Sequence, residues 1–170
     1  MEHYKGKKVL VVGLGKTGFA LINFFNTLGC EVRVTDIKPI FDLNKQVKKL
    51  KRIQPTPHMT LGEHKVEDFV EADVIVYGSA VDPNMPQLQA AREHGREVYS
   101  EFSFSYKYCE KPVIAVCGSL GRTTIAHMIG YTLKVDKKNV FVGGTSDEPF
   151  INFHSLANKE EIDYVVVEVN

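Results

Sequence analysis

No apolar stretch in this chain approaches the roughly 20 residues that cross a bilayer, so a membrane-spanning helix is excluded and a soluble protein is expected. Charge of one sign is also missing, because 21 lysines and arginines stand against 21 aspartates and glutamates. No whole-molecule field therefore draws the chain to nucleic acid or to an anionic membrane. Cysteine is scarce: Cys30, Cys109 and Cys117 are odd in number and widely spaced, with no CxxC pair. That excludes a disulfide framework and a thiolate zinc site, and points to buried thiols in a reducing cytoplasm. The six histidines, His3, His58, His64, His94, His127 and His154, form no HxxxH or HExxH pair, so none is assigned a metal. His127 is expected to serve packing. No short-period repeat is present, and Lys45 to Arg52 reads as a solvated helix face.

What remains is an ordinary globular composition. At 170 residues and 44% hydrophobic, the chain can bury a core and form one domain, or one plus part of a second. Lys5, Lys7 and Lys8 before Val9 to Val12 have the look of a signal peptide, but Gly13, Gly15 and Lys16 interrupt the apolar run, which is read as a first strand. A helical pattern follows from Gly18 to Leu28 and a second strand from Glu31 to Thr35, making a βαβ unit. Further strands are expected at Val74 to Tyr77, Glu97 to Tyr99, Val113 to Cys117, Val140 to Val142 and Tyr164 to Val169. Helices are expected near Asn44 to Arg52, Pro86 to His94 and Thr123 to Leu133. The fold class is α/β, a Rossmann-like parallel sheet with helices on both faces, followed by the start of a phosphate-loop ATPase domain. The charged link Glu110 to Pro112 sets the boundary, giving a first domain over 1–110 and an incomplete second over 111–170.

Two glycine motifs carry the chemistry. Gly13-Leu14-Gly15-Lys16-Thr17-Gly18 fits GxGxxG between a strand and a helix. Its glycines allow a tight turn and close approach of a ligand, and the helix N-terminus offers partial positive charge to a phosphate. Asp36, at the end of the second strand, is placed to accept from a ribose hydroxyl or a base N–H. Taken alone, turn and acid fit NAD; the same residues also suit plain helix–strand packing with Asp36 capping a loop.

The second motif is Gly118-Ser119-Leu120-Gly121-Arg122-Thr123-Thr124, after the apolar run ending at Cys117. It fits GSxGKTT with arginine at the lysine position, whereas the longer GxxxxGK pattern fails because Val116 stands at its first glycine. Backbone N–H groups of the loop and helix start would cradle the phosphates of ATP, Arg122 would contact the β- and γ-phosphates, and Thr123 would ligate magnesium. Arginine alters such a site, since a wide planar fork replaces a compact ammonium. The alternative is a turn rich in small residues. Gly78-Ser79-Ala80, after the strand ending at Tyr77, is either a source of donors to a diphosphate or a plain loop. Glu168 near a strand tip can hold magnesium, and Gly143-Gly144-Thr145 ends another strand.

In this order, from Tyr4-Lys5-Gly6-Lys7-Lys8-Val9 through the first glycine turn, Thr35-Asp36, the GSxGxTT loop, Gly143-Gly144 and Val167-Glu168-Val169, the chain resembles the Mur ligases of peptidoglycan synthesis. The likeness is greatest to the branch that adds D-glutamate to UDP-N-acetylmuramoyl-L-alanine, and Val76 to Ser100 is also similar to other branches. The resemblance implies that Gly13, Gly15, Lys16, Thr17, Gly18, Asp36, Gly78, Ser79, Ala80 and Thr145 serve the UDP-linked substrate, so the first domain holds that substrate rather than NAD. It implies ATP at 118–124, magnesium at Thr123 and Glu168, an acyl phosphate formed with help from position 122, and attack on it by an amino acid. It also implies a cytoplasmic enzyme, expected to be a monomer. The sequence departs from the family at Arg122 for lysine, Leu120 and Thr145 for asparagine, and Asn170 for serine. The family's modified lysine, further metal ligands and amino-acid-binding C-terminal domain have no counterpart before Asn170, so the chain is expected to be an N-terminal portion, inactive by itself. Two other readings stay open: an NAD(P)-binding regulatory domain, and a non-catalytic Mur-like binding module.

Overall fold

A computed structural model describes residues 1–169; Asn170, one of the family departures, lies outside them. The chain forms two compact units, Met1–Glu101 and Phe102–Asn170. Among the described residues no helix is long and apolar enough to cross a membrane.

In the first unit, β1 (Lys8–Val12), β2 (Glu31–Asp36), β3 (His58–Leu61), β4 (Val74–Tyr77) and β5 (Glu97–Ser100) form one sheet in the order β3-β2-β1-β4-β5, with every pairing parallel. Val9 to Val12 are all buried, because a central parallel strand is covered on both faces and reads as a continuous apolar run. Leu10 and Val12 face Phe69, Leu88 and Ala91, from helices α3 (Val66–Glu71) and α4 (Pro86–Glu93). On the other face, α1 (Lys16–Thr27) lies along β1 and β2. The doubly wound parallel sheet is thus present.

The second unit has β6 (Val113–Val116), β7 (Val140–Gly143) and β8 (Tyr164–Glu168), all parallel in the order β6-β8-β7. Alternation along β8 divides its core. Val166 packs with Ala126 on one face, beneath the long helix Arg122–Val135, and Val165 and Val167 pack with Phe141, Phe150 and Phe153 on the other. Phe150 and Phe153 come from a 3-10 segment, Phe150–Ser155.

Several elements differ from the sequence expectation. The helix at Asn44, α2 in chain order, ends at Leu50 rather than Arg52. β3 and α3 are additional: β3 is a half-exposed edge strand of four residues and α3 has only six, too short for a clear period. A further helix, α5 (Glu101–Lys107), forms where alternating Phe and Ser suggest no helix. It makes the helix at Arg122 α6. The cysteines are not uniformly buried, since Cys30 is buried, Cys109 half-buried and Cys117 exposed.

Candidate functional site

In the first unit, strand order reverses between β1 and β4, and the loops leaving their carboxyl ends frame the crevice in which ligands of open α/β sheets bind. The glycine turn leaves β1 there. Gly13 has φ +99°, a conformation suited to glycine, and its N–H donates to Thr35 O at 2.8 Å. Gly18 fills a different need: a Cβ there would stand 2.0 Å from Gly13 O, so only glycine lets the first turn of α1 fold back against the loop. Gly15 caps α1 without a side-chain bond, which leaves the helix start to the backbone of the loop and to a ligand. Gly78, leaving β4, comes beside the same turn: a Cβ built on it would lie 3.9 Å from the Thr17 side chain. Two loops singled out separately in the sequence are thus brought together, with Ser79 and Ala80 exposed beyond them.

Asp36 ends β2 and binds backbone on both oxygens. Oδ2 accepts Leu14 N–H at 2.7 Å and Oδ1 accepts Lys38 N–H at 2.9 Å. The carboxylate therefore fixes the glycine turn, and its remaining lone pairs are available to a ligand hydroxyl or N–H. Next to it the Thr35 hydroxyl lies 2.9 Å from His64 Nδ1 and 3.2 Å from Glu63 O. Burial holds His64 below the ordinary imidazole value, against an opposing pull from Asp36. His64 stands beside the candidate acid without having been singled out in the sequence, since no motif connects it to Asp36.

In the second unit the loop 117–121 leaves β6 and enters α6. Gly121 caps the helix at φ +75°, which favours glycine, and Leu120 at the loop tip is 89% exposed. Helix geometry leaves the N–H groups of Arg122, Thr123 and Thr124 without intrahelical carbonyls, the arrangement that receives phosphate. Because β6 and β8 are neighbours, with Val116 opposite Glu168, the helix start faces the end of β8. Thr123 Oγ1 donates to Glu168 Oε2 at 2.5 Å, and Arg122 Nε stands 3.5 Å from Oε1. Arg122 Nη1 also donates to Val169 O at 3.3 Å. Gly144 packs against this strand end, since a Cβ on it would meet Glu168 O at 2.3 Å. Thr145 turns back to its own loop, accepting Glu148 N–H at 3.0 Å. His127 is not a packing residue as expected: it is exposed, with Nδ1 bonded to Thr123 O at 2.9 Å across one helical turn.

Thr123 and Glu168 offer a hydroxyl and a carboxylate, the hard oxygen donors magnesium takes. No group of three or more His, Cys, Asp or Glu residues forms a metal cage among the described residues. The pair therefore suits magnesium that completes its shell with phosphate oxygens and water, the usual condition of that ion.

A family profile described as Mur ligase MurD-like, N-terminal domain, matches residues 7–100. The UDP-N-acetylmuramoylalanine–D-glutamate ligase of Desulfatibacillum aliphaticivorans is 34% identical over 166 residues, 98% of this chain and 36% of that protein. That of Desulfosudis oleivorans is 36% identical over 166 residues, 98% of this chain and 35% of that protein. The chain thus spans about a third of the length of these relatives. Among solved structures, the UDP-N-acetylmuramate-alanine ligase MurC of Thermotoga maritima aligns with a TM-score of 0.52 at 21% identity, covering 95% of this chain and 37% of that one. That likeness concerns the fold.

Proposed function

This chain belongs to the MurD-like family of Mur ligases, and on that premise we propose that it is the substrate-holding and phosphate-loop portion of a cytoplasmic peptidoglycan-precursor ligase. The proposed reaction adds D-glutamate to UDP-N-acetylmuramoyl-L-alanine at the expense of ATP. The observation that carries this is the joint presence of a glycine turn at a strand-order reversal and a second parallel sheet whose loop–helix turn faces an acid on the neighbouring strand. A dinucleotide-binding unit accounts for the first and leaves the second without a role.

In this assignment the turn 13–18, Asp36 and the Gly78 loop hold the UDP moiety. Asp36 fixes the turn through Leu14 N–H, and the start of α1 meets the diphosphate. The loop 118–124 takes the ATP phosphates on backbone N–H groups, with Arg122 as its cation. Thr123 and Glu168 would hold magnesium, which neutralises phosphate charge when bound. The substrate carboxylate would take the γ-phosphoryl group of ATP, with ADP leaving, and the amino acid's amine would then form the amide bond as inorganic phosphate leaves the acyl carbon. These groups must converge with others supplied by the rest of the enzyme.

A differential thermal shift series with UDP-MurNAc-L-alanine, ATP plus magnesium, and NAD tests the assignment. Ligand at about 100 times Kd stabilises a fold by roughly 2.7 kcal/mol. The UDP compound is expected to raise the melting temperature and NAD to leave it unchanged; a shift with NAD alone rejects the proposal. One observation favours a second reading, a non-catalytic Mur-like module: Arg122 is engaged by Glu168, where a catalytic loop would keep its cation for phosphate. Arg122→Lys in the full-length gene product separates the two, since a large gain in ligase rate indicates lost catalysis and no gain an adapted loop.

A further inference from the structure

Arg122 opens α6 with a side chain only 27% exposed, and its guanidinium reaches Glu168 and Val169 together. Glu168, 10% exposed at its side chain, has one oxygen bonded to the Thr123 hydroxyl and the other facing Arg122 Nε. The two oxygens that would serve a metal are therefore both engaged, one of them by a cation. Arginine cannot shed its proton, and a divalent ion on the same carboxylate would stand against the guanidinium with little water between them.

We propose that Arg122 and a divalent cation are alternative occupants of the Glu168 carboxylate, so that the loop by itself is closed to metal. The guanidinium fork is what makes this so, because it spans the carboxylate and the Val169 carbonyl at once, as a point-charge ammonium does not. If the loop is a triphosphate site, as proposed above, phosphate opens it: a bidentate guanidinium–phosphate pair is short and strong and competes with the long contact to Glu168. Metal and nucleotide then enter together.

Equilibrium dialysis of Mn²⁺ against the 170-residue chain tests the exclusion without any turnover. Without nucleotide, Arg122→Met should bind Mn²⁺ on the order of tenfold more tightly than the unsubstituted chain, and addition of Glu168→Gln should remove the gain. Arg122→Gln repeats the comparison with a polar side chain, and circular dichroism melting of each variant shows which are folded. Equal Mn²⁺ binding by the unsubstituted chain and the folded Arg122 variants, including none by any of them, overturns the proposal. A second arm adds ATP. More Mn²⁺ retained by the unsubstituted chain, together with the gain in the Arg122 variants without nucleotide, supports both the exclusion and the nucleotide site, whereas that gain with no ATP effect supports the exclusion and rejects only the nucleotide site.

Discussion

Gly18 shows what a single position decides. A methyl group there would collide with Gly13 O and crowd Gly13 C at 3.1 Å, both backbone atoms with nowhere to move. Gly18→Ala should lower unfolding free energy by about 3 kcal/mol in urea titration, the scale of forced overpacking. Gly78→Ala, whose Cβ would meet Thr17 only at ordinary contact distance, should be nearly neutral in the same titration. The thiols give a second residue-level check. Burial pushes the Cys30 thiol up to about 11, whereas Cys117 is exposed. At pH 8 a disulfide reagent should modify Cys117 rapidly and Cys30 only after denaturation; fast modification of Cys30 would contradict its burial. Spacing singles out the glycines and Asp36 as a turn suited to a ligand, but not which bonds Asp36 already makes, because an acid that braces the loop and one that accepts from a ligand occupy the same position. Arginine at 122 was equally plain. Its partner was not, since only the pairing of β6 with β8 brings Glu168 within reach.

Elements were legible in proportion to their burial. β1, β4 and β8 are central strands whose apolar runs stand out, whereas β3 at the sheet edge and the six-residue α3 bury too little to leave a pattern. α5 hid for another reason: its Phe-Ser alternation has a strand's period, yet it folds as a helix in which Phe102 and Tyr106 stack at 6.0 Å one turn apart. α6 carries apolar side chains outside as well as inside, with Met128, Tyr131 and Val135 exposed. Met128→Glu should therefore leave the unfolding free energy of this chain in urea unchanged within about 0.5 kcal/mol. The 3-10 segment after β7 carries a pH dependence. His154 is buried, and its Nε2–H donates to Ser105 O at 2.9 Å. Burial lowers its pKa from 6.5, so the unfolded chain takes up the proton first as pH falls. Stability present above about pH 6.5 should be lost progressively below it. His154→Gln should flatten that slope in urea midpoints between pH 7 and 5, leaving the part due to His64, whose pKa is lowered in the same direction.

For the molecule as a whole, the order of motifs carried more than any one of them. A glycine turn with an acid after the next strand suits NAD as well as UDP, and a loop with arginine in place of lysine is a weak ATP signal. Found in sequence within one chain, on two parallel sheets, they select the MurD-like family that the comparison of residues 7–100 supports independently. With about a third of its relatives' length, the chain should show no ligation in a phosphate-release assay with UDP-MurNAc-L-alanine, ATP and D-glutamate. Substrate capture is a separate matter, since the assignment proposed above gives the UDP moiety to the turn 13–18, Asp36 and the Gly78 loop of the first unit. Calorimetric titration of UDP-MurNAc-L-alanine and of NAD into the chain measures that capture directly. Saturable binding of the UDP compound at one site, weakened by Asp36→Ala and accompanied by no heat from NAD, is the predicted result. Saturable binding of NAD with none of the UDP compound would contradict the account.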